Sequence, residues 1–171
     1  MNPAVVETQE IDRIYLIIKK EAENGGYFLN PDVAFTKNLV RGLLHNEQRY
    51  GYRACPCRLA SGKKEEDLDI ICPCNYRDPD LTEYGACYCA LYVNSAVASG
   101  KILESPVPER RPPRSDRDKK KVVQTPGTAP ALSLQFPVWR CGVCGYLCAR
   151  DQPPEICPIC KVTKERFERF I

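Results

Sequence analysis

The sequence predicts a mainly α-helical domain wrapped around an inorganic centre, followed by a linker and a small β/knuckle metal domain. Three observations carry that reading. Two amphipathic helical segments open the chain, three C-x-C pairs lie between Cys55 and Cys89, and two C-x-x-C knuckles close it. The expected boundaries are 1–104 for the helical domain, 105–136 for the linker and 137–171 for the knuckle domain.

A chain of 171 residues holds one domain or two small ones. Its 11 cysteines would suggest a disulfide scaffold in a secreted protein. Met1 to Glu10, however, shows no basic segment followed by an apolar one, so no signal peptide is visible. No apolar run approaches the roughly 20 residues that span a bilayer. The expectation is a soluble, cytoplasmic protein in a reducing compartment, without membrane association, whose cysteines serve metals or redox chemistry. Net charge is −3 over residues 1–104, +4 over 105–137 and +2 over 138–171. The basic excess sits mostly in one Pro-rich segment, which is not the footprint of a nucleic-acid binder.

Ile11, Ile14, Tyr15, Ile18 and Ala22 recur at helical spacing, with Thr8 as the expected N-cap and Gly25-Gly26 as the stop. Asn30-Pro31-Asp32 predicts a second start: a cap, a proline in the first turn and an acid at the positive end of the dipole. Val33, Val40, Leu43 and Leu44 give this helix its buried face, and it should end near Gly51. Between the cysteine pairs, Ser61 to Asp67 suits a short exposed helix or turn, and Asn75 to Asp80 reads as turn chemistry. Ala90 to Ala98 predicts a last short helix closed by Gly100. From Ser105 to Pro137, seven prolines with Arg110, Arg111, Arg114 and Lys119 to Lys121 cannot build a core, and predict an extended, solvated spacer.

The first cysteine set reads Cys55-Pro56-Cys57, fourteen residues, Cys72-Pro73-Cys74, twelve residues, Cys87-Tyr88-Cys89. One intervening residue tends to point paired sulfurs in different directions, so some should ligate and others not. A 4Fe–4S cluster takes four thiolates, which leaves two of six as a redox dithiol. In the tail, Cys141 and Cys144, then twelve residues, then Cys157 and Cys160 close a tetrahedral four-sulfur site. Thiolate geometry there admits iron or zinc, and so short a segment needs its metal to fold. Cys148 is an extra thiol in the loop between the knuckles, not needed as a ligand.

Cys55-Pro56-Cys57-Arg58, Cys72-Pro73-Cys74 and Cys87-Tyr88-Cys89 resemble the three-pair signature of the catalytic chain of ferredoxin:thioredoxin reductase. Arg49-Tyr50-Gly51-Tyr52, Tyr76-Arg77-Asp78-Pro79-Asp80 and Glu83-Tyr84-Gly85-Ala86 resemble it too, so the likeness spans residues 5–104. Residues 137–171 resemble a short rubredoxin of the kind fused to rubrerythrins, with Lys161 where a glycine often follows the second knuckle. Together they look like archaeal ferredoxin:disulfide reductases that carry a rubredoxin module.

The resemblance implies that Cys55, Cys72, Cys74 and Cys87 hold one 4Fe–4S cluster. Cys57 and Cys89 are then the active-site disulfide, with Cys57 the exposed nucleophile and Cys89 against the cluster. Cys141, Cys144, Cys157 and Cys160 hold one iron, or zinc, in a one-electron site. Reduced ferredoxin is the implied donor and a thioredoxin-like protein or other disulfide the acceptor, reduced in two one-electron steps through a mixed disulfide on Cys57. Tyr88 stands where the photosynthetic enzymes carry a histidine; a phenol there donates a hydrogen bond or packs over the cluster. His45 is expected to be an ordinary helix residue. Arg53, Arg58, Lys63, Lys64 and Arg77 are candidates for docking an acidic ferredoxin. The rival readings are a plain electron carrier with two iron–sulfur centres and a zinc-binding interaction module.

Overall fold

The computed structural model describes the backbone of residues 3–120 and 136–171, and the side chains of 7–117 and 136–171. Lys121, Pro126, Pro130 and the side chains of Lys119 and Lys120 lie outside the described residues.

Helix α1 (Pro3–Asn24) and helix α2 (Val33–Tyr50) pack as an antiparallel pair across the chain reversal at Gly25-Gly26. Ile11, Ile14, Tyr15, Ile18 and Ala22 are all buried, as the periodicity predicts. Thr8 lies inside α1 and does not cap it; Pro3 starts the helix instead, where a missing N–H costs nothing. Asp32 caps α2, its carboxylate accepting from the Phe35 N–H at 2.9 Å, while Asn30 accepts from the Asp32 N–H. Gly51 ends α2 in the left-handed region at φ 81°. On the inner face of α2 the buried residues are Thr36, Leu39, Val40 and Leu43, whereas Val33 is exposed. Val33 sits in the first turn of α2 and faces solvent.

Two short strands, β1 (Phe28–Leu29) and β2 (Tyr92–Val93), pair antiparallel and tie the end of the cysteine region back to the helical hairpin. Helix α3 (Lys64–Asp67) runs into a 3₁₀ turn at Leu68–Ile70. Helix α4 (Arg77–Tyr84) occupies the stretch expected to be a turn. Pro79 lies in its first turn, where backbone N–H groups have no intrahelical partner, so it permits the helix it was expected to stop. Only Ser95–Ala98 of the last expected helix is helical (α5), because Tyr92 and Val93 are drawn into the strand pair.

The start of the expected spacer is fastened to the helical domain. Arg110 pairs with Asp80 at 2.6 Å and with Glu83. Arg111 pairs with Asp67 and Asp69 at 3.0 and 2.9 Å. Helix α6 (Arg114–Lys120) follows. These basic residues met acids fixed far away in sequence, a pairing no local pattern reveals.

The tail forms an antiparallel sheet in the order β4 (Leu147–Ala149), β3 (Val138–Cys141), β5 (Phe167–Arg169), with a 3₁₀ turn at Lys164–Arg166. Cys148 lies in β4 opposite Trp139, in a strand and not in a loop. Among the described residues no helix is long and apolar enough to cross a membrane.

Candidate redox and metal centres

The three C-x-C pairs are carried by loops pinned to the helical frame. The Cys55 N–H bonds Ile70 O at 2.8 Å, the Cys72 N–H bonds Arg53 O at 2.9 Å, and the Cys87 N–H bonds Tyr92 O at 2.9 Å. Gly42 lets the first pair sit against α2: a Cβ there would come within 2.7 Å of Pro56 Cβ. Sequence reasoning passed over Gly42, although a lone glycine inside a helical pattern is the signal of such a close approach. Ala90 takes φ 54°, which folds the chain back so that its N–H reaches Cys87 O at 2.6 Å.

This arrangement brings Cys55, Cys57, Cys72, Cys74, Cys87 and Cys89 into one region. Cys57 is exposed, Cys72 is half-buried, and the other four are buried. Cys89 lies 3.7 Å from Cys87 Sγ to Sγ. Its hydrogen bonds to Cys55, Cys57 and Cys87 push its thiol well above the ordinary value. The same hydrogen bond from Cys89 lowers Cys57 to about 7, and Arg58 assists. Within this pair Cys57 is the sulfur open to solvent and Cys89 the enclosed one. Burial pushes Cys72 well above its ordinary value and Cys74 up to about 12. Buried sulfurs this close cannot all ionise without added positive charge, which suits a multivalent inorganic partner.

Arg58 is the nearest guanidinium. Its side chain is 1% exposed and pairs with Glu109 at 2.9 Å. It donates to Cys74 Sγ at 3.3 Å and lies between the rings of Tyr76 and Tyr88, 4.8 and 4.5 Å from their centres. Arg77, 3% exposed, stacks 3.6 Å over Tyr27. Neither arginine can meet a docking protein, which corrects the sequence expectation for both; Arg53, Lys63 and Lys64 remain at the surface. Tyr88 stacks on Arg58 and lines a groove that opens on Cys57. His45 sits on α2 beside Glu7 at 3.5 Å, away from the cysteines.

In the tail, the Sγ atoms of Cys141, Cys144, Cys157 and Cys160 all lie within 4.8 Å of one another, and Cys148 is not in the group. The hydrogen bond from Cys160 lowers the Cys141 thiol to about 5, while burial lifts Cys144 to about 11. The six cysteines of the helical domain provide no three ligand atoms this close among the described residues. One ion suits the tail site.

The two centres are held side by side. Arg166, from the 3₁₀ turn of the tail, donates to Ile71 O at 3.1 Å, Pro73 O at 3.3 Å and Asn75 Oδ1 at 2.6 Å. Lys64 pairs with Glu165 at 2.8 Å, and Cys72 and Cys160 line one groove between the parts. Nothing in the spacing of the cysteines announced Arg166.

A helical domain that gathers six cysteines, joined to a four-thiol knuckle domain, defines a two-part thiol metalloprotein. The family model of the ferredoxin thioredoxin reductase catalytic beta chain matches residues 5–110, and that of the rubrerythrin, rubredoxin-like domain matches residues 139–168. The chain belongs to the family of ferredoxin thioredoxin reductase catalytic beta chains, oxidoreductases acting on disulfides, and ends in a rubredoxin-like domain. No curated protein matches it.

Proposed function

We propose that the chain is a ferredoxin-dependent disulfide reductase of the cytoplasm, with a thioredoxin-like protein or another disulfide as its acceptor. The observation that carries the proposal is the unequal pair: an exposed Cys57 in the same cysteine region as a buried Cys89. A plain electron carrier has no use for such a pair.

In this reading Cys55, Cys72, Cys74 and Cys87 hold a 4Fe–4S cluster, and Cys141, Cys144, Cys157 and Cys160 hold one iron. When bound, the cluster supplies single electrons beside a sulfur chemistry that needs two. Cys57 attacks the target disulfide as a thiolate, forming a mixed disulfide and expelling one target thiolate. Cys89 then attacks Cys57 Sγ, releasing the second target thiol and restoring the Cys57–Cys89 disulfide. Burial keeps Cys89 out of reach of the solvent and of a second target, so its attack is confined to the mixed disulfide on Cys57. Arg58 supports the arrangement twice, donating to Cys74 Sγ and holding the Tyr88 ring at the mouth of the site. Arg166 keeps the rubredoxin-like centre against the Cys72–Cys74 loop, within reach of intramolecular transfer.

The test is turnover with reduced ferredoxin and an oxidised thioredoxin. The wild type should release target thiols. The Cys57→Ser variant should release none while keeping its iron, and the Cys89→Ser variant should accumulate the mixed disulfide. Full turnover by Cys57→Ser would refute the assignment.

A further inference from the structure

Beside Cys57 runs a groove of about 540 Å³, walled on one side by the Cys57–Ser61 loop and on the other by residues 109–117. Its size lies within the range of sites for small ligands. The groove is rich in guanidinium groups, but most are already matched. Arg58 is taken by Glu109, and Arg111 by Asp67 and Asp69. Arg114 pairs with Glu66 at 3.1 Å and is otherwise open to water, with its side chain 64% exposed. Arg117 differs: among the described residues it has no acidic partner, and its hydrogen bond is a long one to Glu66 O at 3.4 Å. An arginine without a matching acid, in a groove that the exposed Cys57 also lines, suits an anion.

We propose that this groove selects a compact disulfide bearing carboxylates, with Arg117 and Arg114 receiving a carboxylate while Cys57 attacks the S–S bond. This rests on the reading of Cys57 as the nucleophile and adds the substrate class. Cys57 thiolate forms the new S–S bond, the substrate bond breaks, and one carboxylate-bearing thiolate leaves.

The test uses the reduced holoprotein in a Cys148→Ser background and two chromogenic disulfides. One is the dianionic 5,5′-dithiobis(2-nitrobenzoate), the other the neutral 4,4′-dithiodipyridine. The rate ratio of the anionic to the neutral probe is compared with that of free 2-mercaptoethanol. The protein should exceed the free thiol by about tenfold at low salt, a modest electrostatic gain, and the excess should vanish in Arg114→Gln/Arg117→Gln. A ratio unchanged by the double variant, with the neutral probe still reacting at the parent rate, overturns the groove alone. Reaction undiminished in Cys57→Ser overturns the nucleophile reading beneath it.

Discussion

At the scale of single residues, what sets this protein apart is how its buried charges are matched. Asp67 is fully buried, and burial pushes its carboxyl up. Hydrogen bonds from Tyr52, Arg111 and the Ser61 and Gly62 N–H groups outweigh that and hold it below its ordinary value. A carboxyl lowered in the folded state contributes stability that is complete above the unfolded value of 3.8 and is lost as pH falls below it. Thermal melts should therefore show a loss below that pH which Asp67→Asn makes shallower. Arg166 has a different task. Removing a buried guanidinium with three acceptors should weaken docking of the tail by about 2 kcal/mol. In Arg166→Ala, hydrogen exchange at the amides of Ile71, Cys72, Cys74 and Asn75 should accelerate while the metal content stays unchanged. These residues were the hardest to read in advance. Arg58 and Arg77 looked like surface charges because their partners, Glu109 and the Tyr27 ring, lie far away in sequence.

The helices were the most legible elements, since a 3.6-residue period needs only local sequence. All five predicted apolar positions of α1 are buried, and Gly51 ends α2 as expected. Reading failed where tertiary contacts decided. Asp78-Pro79-Asp80 begins a helix because the proline falls in its first turn, and Tyr92-Val93 leaves a helical pattern to pair with β1. Gly42 joins element to site. An alanine there would press on Pro56 and displace the first cysteine pair, so Gly42→Ala should cost about 1–3 kcal/mol despite its better helix propensity. Chemical denaturation would measure it, and a stabilised variant would disprove the close packing. Lys161 holds φ 62° where a glycine would carry no strain. Lys161→Gly should stabilise the tail by about 0.5–1 kcal/mol, the strain relief less the glycine entropy.

For the whole molecule, both cysteine sets could be found from spacing alone, but their relation could not. The tail buries little beyond Cys141, Val143, Cys157 and Val162, a core too small to hold a domain without metal. Stripping the metal should unfold the tail while the helical hairpin persists. The chain's single tryptophan, Trp139, lies in β3 and reports this directly by fluorescence. The helical domain makes the larger claim, that six neighbouring sulfurs divide into four ligands and one exchanging pair. Differential alkylation with peptide mapping, on protein oxidised and then reduced by two electrons, tests that most directly. The account predicts that Cys57 and Cys89 alone gain label, with iron per chain unchanged. Label appearing instead on Cys55, Cys72, Cys74 or Cys87, or none on Cys57, would contradict it.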